Sequence, residues 1–145
     1  MKRVVLAAAM LAAASQPAAW AAGNCYSPSA IEAEEAIRFL TDVMVVSSAC
    51  QDTIYAQFRL RNQTAIVAYQ KAMITHFHGA KAFDSWNTSL ANKSSQKHAG
   101  LPTAQICQQA AEMMRTATSL DTKGFRQYAA NQAKTVGANY PKCGK

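Results

Sequence analysis

Glycine and proline are scarce, six and four residues among 145, and they fall mostly between apolar-periodic segments. No alternation of apolar and polar residues marks a strand. No C-x-x-C pair occurs, so the close sulfurs required by a thioredoxin-like redox site, a zinc ribbon or covalent haem attachment are missing. No serine lies in a G-x-S-x-G setting. Acids are few, eight against fifteen Lys and Arg. No segment repeats at solenoid spacing. Beyond the first residues, no apolar stretch is long and charge-free enough to cross a bilayer, which excludes a polytopic membrane protein. With 50% hydrophobic residues the chain is also too apolar to be disordered, and its length suits one domain.

What is present begins with an export leader. Lys2 and Arg3 form a charged start, Val4 to Ala14 an apolar run, and Ala19-Trp20-Ala21 a small-residue cleavage site. The apolar run is about half the length of a membrane span. Residues 1–21 are therefore expected to be removed, leaving a periplasmic or secreted domain over residues 22–145.

All four cysteines, Cys25, Cys50, Cys107 and Cys143, lie in that domain. An even count in an oxidising compartment points to two structural disulfides rather than metal ligation or thiol catalysis. Without the leader, thirteen basic residues face eight acids, and the distribution is uneven. Residues 24–52 carry Glu32, Glu34, Glu35, Asp42 and Asp52 against Arg38 alone. From Thr53 onward twelve basic residues face only Asp84, Glu112 and Asp121. Such a basic body suits an anionic envelope component or an acidic protein; nucleic acid is not expected as the target of an exported protein.

The apolar spacing predicts an all-α, up-and-down bundle of four main helices and a short C-terminal helix. The first runs over 29–48. Ser29 and Glu32 match a capping box behind Pro28, and Ala33, Ile37, Leu40 and Met44 form one apolar face. Asp52 caps a second helix that reaches His78 and stops at Gly79, with Arg61 and Asn62 interrupting the apolar spacing. A third helix covers 81–97. Gly100-Leu101-Pro102 then turns the chain into a fourth over 103–120, and Asp121 caps a fifth to about 135. The tail from Val136 is expected to be extended.

This layout decides the sulfur pairing. Cys25 precedes the first helix and Cys50 follows it, so about twenty helical residues hold them roughly 30 Å apart. A disulfide needs Cα atoms within about 7 Å. Passing down the second helix and up the third returns Cys107 to the end that holds Cys50. The expected pairs are Cys50–Cys107 and, by elimination, Cys25–Cys143.

Several residues invite a functional reading. His76 and His78 form an H-x-H pair, but on a helix such residues point about 200° apart and His98 belongs to the other pole, so no metal site is expected. Met44, Met73, Met113 and Met114 read as core filler rather than haem or copper ligands. Glu34 and Glu35 are sequence neighbours whose side chains diverge, unlike a glycosidase pair. The most distinctive polar stretch contains Arg59, Arg61 and Asn62. These are the candidate binding residues, with one arginine exposed and the other expected to pair with Asp42 or Glu35 of the first helix. Asn62, Asn87 and Asn92 also open N-x-S/T sequons, which matter only in a glycosylating host.

The sequence thus predicts a non-enzymatic exported protein with no cofactor, binding a protein or an anionic envelope partner, in an oligomeric state left open. The competing expectation is a carrier with a small apolar ligand among Tyr55, Phe58, Tyr69, Phe77 and Trp86.

Overall fold

The computed structural model describes residues 25–143; the leader expected over residues 1–21 lies outside the described residues. The described residues form seven α-helices: α1 (Pro28–Cys50), α2 (Ile54–Arg61), α3 (Gln63–His76), α4 (Ala80–Gln96), α5 (Thr103–Gln109), α6 (Ala111–Ser119) and α7 (Thr122–Val136). A single 3-10 turn, Gly137–Asn139, follows α7. The only extended pairing among the described residues is an isolated parallel bridge between Tyr26 and Lys142.

The fold is all-α, as expected, but the count of four helices plus one is corrected to seven. Two expected rods are each divided. The second breaks into α2 and α3 at Asn62, where the backbone sits at φ −109° and ψ 14° and the side-chain amide joins the residue's own N–H on the Phe58 carbonyl, each at 3.0 Å. The fourth breaks into α5 and α6 at Ala110, where the backbone sits at φ −89° and ψ 0°. The fifth helix is not short: α7 has 15 residues, capped by Asp121, whose carboxylate accepts from the Gly124 N–H at 2.7 Å.

The start of α1 also differs from expectation. Ser27, not Ser29, is the cap, its hydroxyl accepting from the Ala30 N–H at 3.2 Å. Pro28 opens the helix instead of preceding it, because the first helical position needs no N–H and favours the fixed proline φ. At the other end, Gln51 adopts a left-handed conformation with φ 56° and returns its N–H to the Ser47 and Ser48 carbonyls.

Helix α1 is the axis of the molecule rather than one wall of a bundle. It packs against α2, α3, α4, α5 and α7. Its buried positions accordingly include Ile31, Glu34, Phe39, Thr41 and Val46 besides the expected Ala33, Ile37 and Leu40. Around it the interior is filled by interlocked rings. Phe58 and Phe125 are fully buried with centroids 4.9 Å apart, edge to face. Phe39 reaches Phe58 at 5.6 Å and Tyr69 reaches Phe125 at 5.7 Å.

The disulfides are Cys50–Cys107 and Cys25–Cys143, the pairs expected from the length of the first helix together with the up-and-down path of the chain. With 23 residues, α1 separates its two flanking sulfurs by about 35 Å. One bridge fastens the C-terminal end of α1 to α5. The other draws the tail back beside the start of α1, where the Tyr26 N–H donates to the Pro141 carbonyl at 2.7 Å.

Candidate functional site

Of the three candidate binding residues, the structure brings two together and leaves one apart. Arg61 lies at the end of α2, where its guanidinium donates to the carbonyls of Ala117 (2.9 Å), Thr118 (3.0 Å) and Leu120 (2.9 Å). These are end groups of α6 that lack helical partners, so the arginine acts as a cap supplied by another helix. Asn62 is fully buried beside it and donates to Leu120 as well, at 3.3 Å. Thr122 closes the joint by donating to the Arg61 carbonyl at 3.0 Å. Arg59 is exposed, and the intervening Leu60 is 77% exposed. The expected ion pair from one of these two arginines to Asp42 or Glu35 is not formed. Asp42 instead accepts from the Ser94 hydroxyl at 2.5 Å and lies 3.5 Å from the Lys97 ammonium. Glu35 turns to the tail.

A polar cluster that local sequence patterns do not show lies at the Cys25–Cys143 pole. Glu34 is 2% exposed on the axial helix. One of its oxygens accepts from the Arg38 guanidinium and from the Tyr140 hydroxyl; its other oxygen, Oε2, is buried without a hydrogen-bond partner. The same Tyr140 hydroxyl lies 2.6 Å from Glu35, so the two neighbouring carboxylates converge on one phenol instead of diverging. Tyr26 packs between this phenol and His76, with ring centroids 4.7 Å from Tyr140 and 4.1 Å from His76.

The environment shifts these groups in predictable directions. Burial, reinforced by the adjacent carboxylates, drives the Tyr26 and Tyr140 hydroxyls well above the ordinary phenol value. Tyr69, on α3, is raised in the same way by burial and by its 2.8 Å hydrogen bond to Glu32. Burial opposes the charge of Arg38, but its hydrogen bond and attraction to Glu34 outweigh that cost and raise its pKa. Burial lowers the pKa of His76; Glu34 opposes the shift and His78 adds to it. All these tyrosines are held neutral, so the cluster is a set of hydrogen-bond donors closed on carboxylates. Such an arrangement ties the tail, α1 and α3 together.

His76 and His78 do not share a helix end. Helix α3 stops at His76, and His78 adopts a left-handed conformation with φ 56° in the turn to α4. Among the described residues no group of three or more His, Cys, Asp or Glu side chains is placed to hold a metal ion.

The aromatic residues proposed to line an internal ligand cavity pack against the core instead: Phe58 and Tyr69 lie within it, and Tyr55, Phe77 and Trp86 cover its edge. A spacious concavity lies at the surface. It is a groove of about 770 Å³ between the start of α1 and the end of α7. Pro28, Ile31, Ala130, Ala133, Gly137 and Ala138 make its apolar wall, and Lys134 and Lys142 stand at it as cations. Tyr26 belongs to both sites, lining the groove and packing against Tyr140 of the carboxylate cluster. A smaller cleft of about 220 Å³ lies along the polar flank of α1, between Glu35, Asp42, Lys97 and Tyr128.

No helix among the described residues is long and apolar enough to cross a membrane. Comparison of the chain with protein-family models, curated proteins and solved structures gave no match, so a functional reading rests on the geometry of this chain alone.

Proposed function

We propose that this chain is an exported, non-catalytic binding protein that engages a protein or an anionic envelope component through its basic surface. The leader-like pattern of residues 1–21 supports export, and two disulfides suit the oxidising compartment to which it would lead.

One observation carries the reading: the four carboxylates of α1 turn inward, whereas nearly all the cations face outward. Glu32, Glu34, Glu35 and Asp42 are each at least partly buried and hydrogen-bonded to another element or along α1. Asp121 caps α7, and Asp52 bonds to Ser47 and to the first N–H of α2. By contrast, eleven of the twelve Lys and Arg side chains in the described residues are exposed. Only four of the eight acids among the described residues are exposed, so the solvent-facing charge is more positive than the sum over those residues, and such a field attracts anionic surfaces over distances of about 10 Å at moderate salt.

Co-sedimentation of the disulfide-bonded domain with phosphatidylglycerol vesicles, against neutral phosphatidylcholine vesicles, tests the envelope arm. An acidic polypeptide column tests the protein arm. Salt-sensitive retention by either anionic surface and not by its neutral counterpart supports the proposal. Absence of retention by both at low salt overturns it.

A further inference from the structure

We infer that the groove between α1 and α7 is a binding site for a single-chain anionic amphiphile, a long-chain carboxylate whose hydrocarbon lies on the apolar wall and whose head meets Lys134 and Lys142. This deepens the binding-protein reading and rests on it.

The volume comes first. About 770 Å³ lies within the range of small-ligand sites, roughly 300 to 1,000 Å³. The lining comes next. Ala130, Ala133, Gly137 and Ala138 keep the α7 side shallow and smooth, and Ile31 and Pro28 face them from α1. A flexible chain can follow such a surface without needing a shaped pocket for each group.

Hydrogen bonding then separates a hydrocarbon from a peptide. A peptide would bring an N–H and a C=O per residue, and each requires a partner when dehydrated. The groove has few to offer. The Ser27 hydroxyl already accepts from Ala30 and bonds to Ser29, and Glu32 accepts from Tyr69. The Tyr26 N–H is held by Pro141. The wall therefore suits a ligand whose middle has no polar atoms.

Charge selects the head group. Neither Lys134 nor Lys142 forms an ion pair among the described residues, whereas the acid at the groove, Glu32, is engaged by α3. Two ammonium groups at one apolar groove favour a carboxylate head over a neutral or cationic one.

Titration calorimetry of the disulfide-bonded domain against decanoate, dodecanoate and tetradecanoate, kept below micelle formation, tests the site. Full burial of a methylene tightens binding about fourfold, so an open groove is expected to give about twofold per methylene. Dodecanol and dodecyltrimethylammonium should each bind at least about tenfold more weakly than dodecanoate if the lysines are worth one charge-assisted hydrogen bond. The paired change Lys134→Glu and Lys142→Glu should abolish this preference while leaving dodecanol binding intact. Ala138→Trp, at an exposed position of the groove, should block all three carboxylates; Ala133→Trp is the second variant, and circular dichroism checks that both are folded. Affinity independent of chain length, or dodecanoate binding retained in both folded tryptophan variants, overturns the assignment. So does binding that appears only after residues 22–24 are removed, because those residues would then be the occupant. A concentration-dependent dimer dispersed by Ala138→Trp, without carboxylate binding, would assign the groove to a second copy and overturn it too. Vesicle retention by the basic surface is measured on the same tryptophan variants. If it persists while carboxylate binding is absent from the parent protein, the groove assignment alone has failed.

Discussion

Arg61 donates to the carbonyl of Leu120 at 2.9 Å across 59 residues of sequence, so the end of α2 and the end of α6 complete each other. Arg61→Met removes three donated hydrogen bonds from carbonyls that have no helical partner. It is expected to lower the unfolding free energy by about 1 to 3 kcal/mol, the range for hydrogen bonds from a charged donor reduced for solvent exposure. Arg59→Met should change it by less than about 0.5 kcal/mol. Urea unfolding followed by circular dichroism compares them, and equal midpoints would show that the cap contributes nothing.

Asn62 shares the Leu120 carbonyl with Arg61. Asn62→Ala removes both of its donated bonds at a site with 0% exposure, and a loss of about 2 to 3 kcal/mol is expected. Because the two residues act on one carbonyl, the double variant should depart from additivity by at least about 0.5 kcal/mol. A double-mutant cycle in urea measures that difference directly.

Replacing Cys50 and Cys107 together by serine opens a crosslink spanning 57 residues, and replacing Cys25 with Cys143 opens one spanning 118. The chain-entropy model gives about 4 to 5 kcal/mol for each. Their local effects should differ. Loss of Cys25–Cys143 is expected to speed amide exchange around Tyr26 and Tyr140 while leaving α4 protected; hydrogen exchange read by mass spectrometry resolves the two.

The partly buried imidazole of His76 ties stability to pH. Its folded pKa is below the ordinary 6.5, so the unfolded chain takes up the proton more readily. Its contribution is complete above pH 6.5 and is lost as the pH falls below that value. Thermal midpoints should decline between neutral pH and about pH 5, and His76→Phe, which keeps a ring against Tyr26, should reduce the decline. An unchanged slope in the variant would remove His76 from the account.

At alkaline pH the sign reverses. Tyr140 holds its proton in the folded state beyond the ordinary value of 10.0, so stability is intact below pH 10 and falls as the unfolded chain ionises above it. Tyr140→Phe should cost about 1 kcal/mol at neutral pH by removing the bond to Glu35. It should also make the alkaline decline shallower, with the remainder due to Tyr26, Tyr69 and Tyr128. Thermal melts from pH 8 to about pH 11 test both effects.

The parts of this structure that depend on local spacing were legible in the sequence. Helical periodicity marks the regions of all seven α-helices but not the 3-10 turn at Gly137–Asn139, in the tail expected to be extended, and the length of the first helix excludes Cys25–Cys50. Asp121 was recognisable as a cap because its side chain serves its own helix. The break at Asn62 showed as a gap in the apolar spacing, while the break at Ala110 leaves no such trace. Ser27 does not stand out as the cap because Pro28 reads as a barrier before the helix, although proline also fits the first turn. The larger differences come from distant partners. Glu34 looks like a solvated first-turn acid, yet Tyr140, 106 residues away, and Arg38 make its burial tolerable. Arg61 stood out as polar, but the carbonyls that receive it belong to a helix end that no local pattern connects to it. The groove follows from where α7 ends beside α1, and only the assembled helices reveal it.

The Cys25–Cys143 bridge has a mechanical consequence. Tension applied to the chain before Cys25 and after Cys143 passes directly from one sulfur to the other and bypasses every helix between them. The folded body hangs from that bond as a closed ring, so it can be tethered or pulled from both sides without being unravelled until the bond itself is reduced.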